Sequence, residues 1–124
     1  MTTKANKKPI IWTISGSDCS GGAGIAADIK TGHALAVEVC HLITANTVQN
    51  STKLIAVNPI STHILQQQVD ALQADKLPQV IKIGLLANAE QVQWLTQVIA
   101  KLKAQLPKLL VIFDPVGQAS VGGK

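Results

Sequence analysis

An α/β layered fold built on a mostly parallel sheet is what this sequence predicts, and three observations carry it. Four short apolar runs rich in β-branched residues recur along the 124 residues. Stretches with apolar residues at helical spacing lie between them, and glycine or proline marks most of the junctions. Continuous apolar strands alternating with amphipathic helices imply parallel strands covered on both faces.

The first run, Pro9–Ser15 (PIIWTIS), reads as a buried strand. It breaks into Gly16-Ser17-Asp18-Cys19-Ser20-Gly21-Gly22, a loop with three glycines. From Ala23 the pattern turns helical, with Ile25, Ile29 and Leu35 expected on one side. Glu38–Thr44 (EVCHLIT) is the second strand, followed by a polar loop through Asn46, Gln49, Asn50 and Ser51. Pro59 and Ser61 announce a second helix, in which Leu65, Val69 and Leu72 share a buried face. Pro78 precedes the third strand, Gln79–Ile83 (QVIKI). Asn88 and Gln91 form a capping pair for a third helix. Leu95, Val98, Leu102 and Leu106 make its apolar stripe, and Pro107 stops it. Leu109–Asp114 (LLVIFD) is the fourth strand. The eleven glutamines are expected mostly on solvated helix faces.

Composition narrows the function. Apolar residues make up 47% and charged residues 15%, which excludes a disordered tail. The longest clean apolar run, Leu109–Phe113, is far short of the roughly 20 residues of a membrane span. Net charge is +4, every basic residue is a lysine, and Lys4, Lys7 and Lys8 belong to a basic flexible tail over residues 1–8. The remainder, 9–124, is close to neutral and is expected to be one domain. With no arginine and no tyrosine, the chain lacks the usual means of gripping nucleic acid. Cys19 and Cys40 have neither redox nor zinc spacing and read as reduced thiols. The apolar stretch after the lysines, Ile10–Ile14, is too short for a signal peptide, so a cytoplasmic location is expected.

Ligands of such sheets collect beyond the carboxyl ends of the strands. The segments there are SGSDCSGGAG, ANTVQNS, the third-strand exit Lys82-Ile83-Gly84-Leu85-Leu86, and DPVGQASVGG. Gly22-Ala23-Gly24-Ile25-Ala26-Ala27 fits a loose dinucleotide fingerprint. However, Gly22 lies too far from the strand, and the second strand lacks the terminal acid that binds a ribose. Lys82 and Asp114 are charges at strand edges, where an unpaired ion is costly. They either pair with each other or face a phosphate.

The run TISGSDCSGGAGIAADIKT (Thr13–Thr31) resembles the opening signature of the hydroxymethylpyrimidine/phosphomethylpyrimidine kinases, thiamine-pathway enzymes of ribokinase-like fold. The resemblance continues in register through ITANTVQNS (Ile43–Ser51), IKIGLLAN (Ile81–Asn88) and FDPVGQASVGG (Phe113–Gly123). It implies a ribokinase-like three-layer sandwich, represented here by about four βα units, residues 9–124 being the amino-terminal part of a kinase domain. It also implies ATP- and Mg²⁺-dependent phosphorylation of hydroxymethylpyrimidine and then of its monophosphate, and a homo-oligomeric full-length parent.

The family's pyrimidine-binding glutamine falls on Gln49. A side-chain amide offers one donor and one acceptor in a plane, which suits an exocyclic amine beside a ring nitrogen. On the residues alone, Gln49 also reads as an ordinary polar loop residue. Gly16 and Ala23 match positions lining the pyrimidine pocket. Thr47 matches one that contacts the base through its main chain, Leu85 one usually held by methionine, and Val116 an apolar wall. For Leu85 and Val116, core packing at strand ends is the competing reading. Asp28 and Lys30 match the signature without an assigned role.

Several positions depart from the family pattern: Asn46-Thr47-Val48 replaces a more apolar lead-in, and Cys19, Gly117 and Val121 are atypical. Chains of the family continue well beyond the DPV segment into a Gly-Thr-Gly-Cys motif, which this sequence lacks. No catalytic residue is therefore expected within these 124 residues, and the chain alone is expected to be inactive. The metal ligands stay unassigned. The competing functions are a pyridoxal kinase-like enzyme and a non-catalytic pyrimidine-binding fragment.

Overall fold

The computed structural model describes residues 7–114. Five strands and three helices follow in the order β1 (Ile10–Ser17), α1 (Gly24–Ala34), β2 (Glu38–Gln49), β3 (Leu54–Pro59), α2 (Thr62–Asp75), β4 (Val80–Ile83), α3 (Ala89–Gln105) and β5 (Leu110–Phe113). They form one sheet of order β3-β2-β1-β4-β5. β1 pairs parallel with β2 and β4, and β4 pairs parallel with β5.

The four expected parallel strands are present, but the loop expected after the second is not. β2 runs on to Gln49 and turns back into β3, which pairs antiparallel with it, Thr47 opposite Val57. The Asn50 side chain closes the turn by accepting from the Thr52 backbone and hydroxyl and from the Lys53 backbone. The apolar-run signal is lost there because β3 is a largely exposed edge strand and the end of β2 alternates in burial. Ala45 and Thr47 are buried while Asn46 and Val48 are exposed. Such a strand alternates polar and apolar residues instead of running apolar.

The sheet's two faces are built differently. Trp12 and Ile14 of β1, Leu42 of β2, and Ile81 and Ile83 of β4 share one face. They pack with Leu65 and Val69 of α2 and Leu95, Val98 and Leu102 of α3 as one buried cluster. The indole of Trp12, fully buried, donates to the Lys76 carbonyl at 2.7 Å, tying β1 to the end of α2. Ser61 caps α2 by accepting from Ile64 N, and Asn88 caps α3 by accepting from Gln91 N.

The opposite face carries α1, and here the expected stripe is corrected. Ile25 is buried, but Ile29 and Leu35 are 40% and 68% exposed. The positions turned to the sheet are Ile25, Asp28 and Gly32, spaced three and four apart. Asp28 bonds the Thr13 hydroxyl and the Lys82 ammonium of the strands beneath. A Cβ at Gly32 would stand 2.2 Å from Val39 Cγ2, so glycine lets α1 lie close on β2. A charged residue and a glycine on the inner face hid the true stripe.

Candidate substrate-binding site

The carboxyl ends of β1, β2 and β4 meet the start of α1, and the site is made where they converge. Gly16, near the end of β1, is its floor. A Cβ there would lie 2.9 Å from Leu85 Cδ2 and 3.5 Å from Thr47 Cγ2. The side chains of Leu85 and Thr47, both singled out from the sequence, therefore lie over Gly16. The start of α1 closes on the same point: Gly24 has φ +63°, and a Cβ on it would stand 2.2 Å from the Gly16 carbonyl oxygen. Only glycine fits that approach. Ala23, the residue before it, is the extended N-cap of α1.

Leu85 is fixed by its own peptide. Its N–H donates to Ser15 Oγ at 3.2 Å, and its carbonyl accepts from Thr44 Oγ1 at 2.6 Å. Ser15 and Thr44 are buried. Sequence reasoning assigned neither a role, since a hydroxyl inside a β-branched run reads as strand filler. Gln91, expected only as the capping partner of Asn88, is 1% exposed and does more than cap. Its amide donates to the Thr44 and Ile60 carbonyls and its oxygen accepts from Ala87 N. That last bond replaces the reach back to the Asn88 N–H that a full capping box would make.

Gln49 ends β2, half-buried, with its Nε2 donating to Thr47 Oγ1 at 2.6 Å. Its main-chain carbonyl accepts from the exposed Cys19 thiol at 2.9 Å. The glycine-rich loop thus lies against the glutamine strand. Val116 lies outside the described residues, as does the DPV segment beyond Asp114.

The loop itself is occupied by its own acid. Partial burial opposes ionisation of Asp18, but the Ser20 hydroxyl and the backbone N–H groups of Ser20, Ala23 and Gly22 outweigh it. Together they hold the carboxyl below its ordinary value. The carboxylate accepts from the Ser20 N–H at 2.9 Å and the Ser20 hydroxyl at 2.7 Å. This sets a negative charge in the loop that leads to Gly22–Ala27 and disfavours the fingerprint reading there. On the α1 face, Lys82 Nζ lies 2.6 Å from Asp28 Oδ1 and 3.7 Å from Asp114 Oδ2. Lys82 and Asp114 do pair, but Asp28 is the nearer partner. Among the described residues, no group of three or more His, Cys, Asp or Glu converges to hold the magnesium that the resemblance implies.

A parallel sheet with helices on both faces, an antiparallel hairpin at one edge and a site at the strand ends is the fold of the ribokinase-like small-molecule kinases. The family model for phosphomethylpyrimidine kinase matches residues 18–124. The hydroxymethylpyrimidine/phosphomethylpyrimidine kinase of Bacillus subtilis is 41% identical over 110 residues, covering 89% of this chain and 39% of that protein. The Haemophilus influenzae enzyme of the same name is 37% identical over 118 residues, covering 95% and 42%. Among solved structures, phosphomethylpyrimidine kinase from Clostridium difficile 630 superposes with a TM-score of 0.75 at 35% identity, covering 88% of this chain and 46% of that one. Staphylococcus aureus pyridoxal kinase in complex with pyridoxal gives 0.75 at 28%, covering 90% and 40%. The chain belongs to the phosphomethylpyrimidine kinase family. It spans about two-fifths of the length of these curated relatives. No helix among the described residues is long and apolar enough to cross a membrane.

Proposed function

We propose that this chain is the substrate-side part of a kinase that uses ATP and Mg²⁺ to phosphorylate hydroxymethylpyrimidine and then its monophosphate, in the cytoplasm. Residues 9–124 are the amino-terminal part of that kinase domain, behind a basic tail over residues 1–8, and the parent is a homo-oligomer. Gly16, Ala23, Thr47, Gln49, Leu85 and Val116 are its pyrimidine-binding residues. The observation that carries this reading is the meeting of Gly16, Leu85 and Thr47 beside Gln49 at the strand ends. The glycine lets Leu85 and Thr47 close in over the backbone as an apolar surface for a flat ring, and the Gln49 amide beside them can pair with the ring edge.

Titration of the chain with hydroxymethylpyrimidine tests the pocket. Gln49→Ala weakens binding roughly 5- to 150-fold, the cost of unpairing one buried polar partner. An unchanged Kd places the pocket elsewhere. An ATP-consumption assay on the same chain is expected to show no turnover, because phosphoryl transfer needs charges or dipoles aimed at the moving group. In the glycine-rich loop the Ser20 N–H and hydroxyl are already engaged by Asp18. Turnover at the rate of an intact kinase would overturn that part of the reading.

A further inference from the structure

We infer that Thr47 acts through its side chain as a positioning residue. It sets which way the Gln49 amide faces, and so which ring edge the pocket accepts. This inference rests on the pyrimidine reading of the pocket given above.

Thr47 is 4% exposed, with its methyl on the side of Gly16. The hydroxyl lies 2.5 Å from the Ser17 carbonyl oxygen and 2.6 Å from Gln49 Nε2. A carbonyl oxygen only accepts, so the one proton of Thr47 Oγ1 goes to Ser17. The hydroxyl is left with lone pairs alone for the glutamine. It must therefore meet the NH₂ end of the amide. With Oε1 turned to Thr47, two lone pairs would oppose each other. The remaining edge of Gln49 then presents Oε1 as an acceptor beside the second Nε2–H as a donor, in a fixed order.

An amine next to a bare ring nitrogen, donor then acceptor, matches that edge. The oxo counterpart, with a carbonyl next to a ring N–H, presents the reverse order and needs the amide turned over. In this chain turning it over breaks the Gln49–Thr47 bond. Without the hydroxyl, the amide can adopt either orientation at similar cost.

The test is calorimetric titration of the full chain with the amino form of hydroxymethylpyrimidine and with its 4-oxo counterpart. Wild type is expected to prefer the amino form. Thr47→Val, which keeps shape but loses the hydroxyl, reduces that preference roughly tenfold, the scale of one misplaced polar pair. Thr47→Ser restores it. A wild-type preference that survives in Thr47→Val overturns the inference. Gln49→Ala separates the two levels: if it leaves amino-form binding unchanged, or if wild type binds neither compound, the pocket reading falls and this inference with it. A second measurement needs no variant to fold. In the unliganded wild-type chain, one side-chain amide proton of Gln49 should show a nuclear Overhauser contact to Thr47 Hβ. Its absence overturns the inference.

Discussion

Lys82 Nζ stands 2.6 Å from Asp28 Oδ1, a bond from the middle of β4 to the inner face of α1. Asp28 also accepts from the Thr13 hydroxyl, so one carboxylate joins α1 to β1 and β4 at once. The two side chains are 28% and 17% exposed, between a solvated ion pair and a fully buried one.

Lys82→Met is accordingly expected to cost about 2 kcal/mol, between the ~0–1 of exposed pairs and the ~3–5 of broken buried ones. Asp114→Asn, whose carboxylate is 3.7 Å away and 44% exposed, should cost under about 1 kcal/mol. Urea unfolding midpoints measure both. Equal costs would show that Lys82 serves Asp114 as much as α1.

The two glycines of the site should respond differently to alanine. At Gly24 the added methyl meets the Gly16 carbonyl at 2.2 Å and the backbone has positive φ, so the start of α1 must move. At Gly16 the obstacle is Leu85 Cδ2 at 2.9 Å, the end of a side chain that can rotate away. Gly24→Ala is expected to lose about 2 kcal/mol or more, and Gly16→Ala less, by the usual cost of strain and overpacking. Gly16→Ala should instead weaken pyrimidine binding while the melting temperature stays near that of wild type.

Gln91→Leu keeps the volume and removes three hydrogen bonds. Each group left unpaired costs about 1–3 kcal/mol if water cannot reach it. A loss of about 3 kcal/mol is expected in denaturant unfolding, accompanied by faster amide exchange at Ala87. A loss under about 1 kcal/mol would mean that the loop before α3 repacks freely.

Asp18 gives a pH signature. Its folded carboxyl titrates below the ordinary value of 3.8, so its stabilising effect is complete above that value and lost as pH falls through the lowered one. Wild type should lose more stability between pH 5 and pH 3 than Asp18→Asn does. Parallel stability curves for the two proteins would show that the loop amides do not hold the carboxylate.

The parallel strands could be read directly because each is a continuous apolar run. PIIWTIS fits a strand covered on both faces. LLVIF is as apolar, although Leu110, Ile112 and Phe113 of β5, the edge strand among the described residues, are exposed. Other features defeat that signal for physical reasons. The β2–β3 hairpin alternates, since half of it faces solvent. The inner stripe of α1 contains Asp28 and Gly32, which are needed for an ion pair and for close packing. Gln91 spends its amide on three backbone groups that come together only in the folded chain. At the site, glycines and the end-of-strand glutamine stood out, whereas Ser15 and Thr44, which hold Leu85 by its peptide, look like ordinary strand residues.

The central place of β1 in the sheet sets a timetable for synthesis. Ile11 is paired with Val39 on one edge and with Val80 on the other. β1 therefore gains its second neighbour only when β4 has been made, well after β2 has paired with its other edge. Roughly forty residues separate its two neighbours, a few seconds at ~5–20 residues per second. Through that interval Trp12 and Ile14 have no α3 to cover them, and a nascent chain stalled before residue 80 offers a half-made sheet to chaperones.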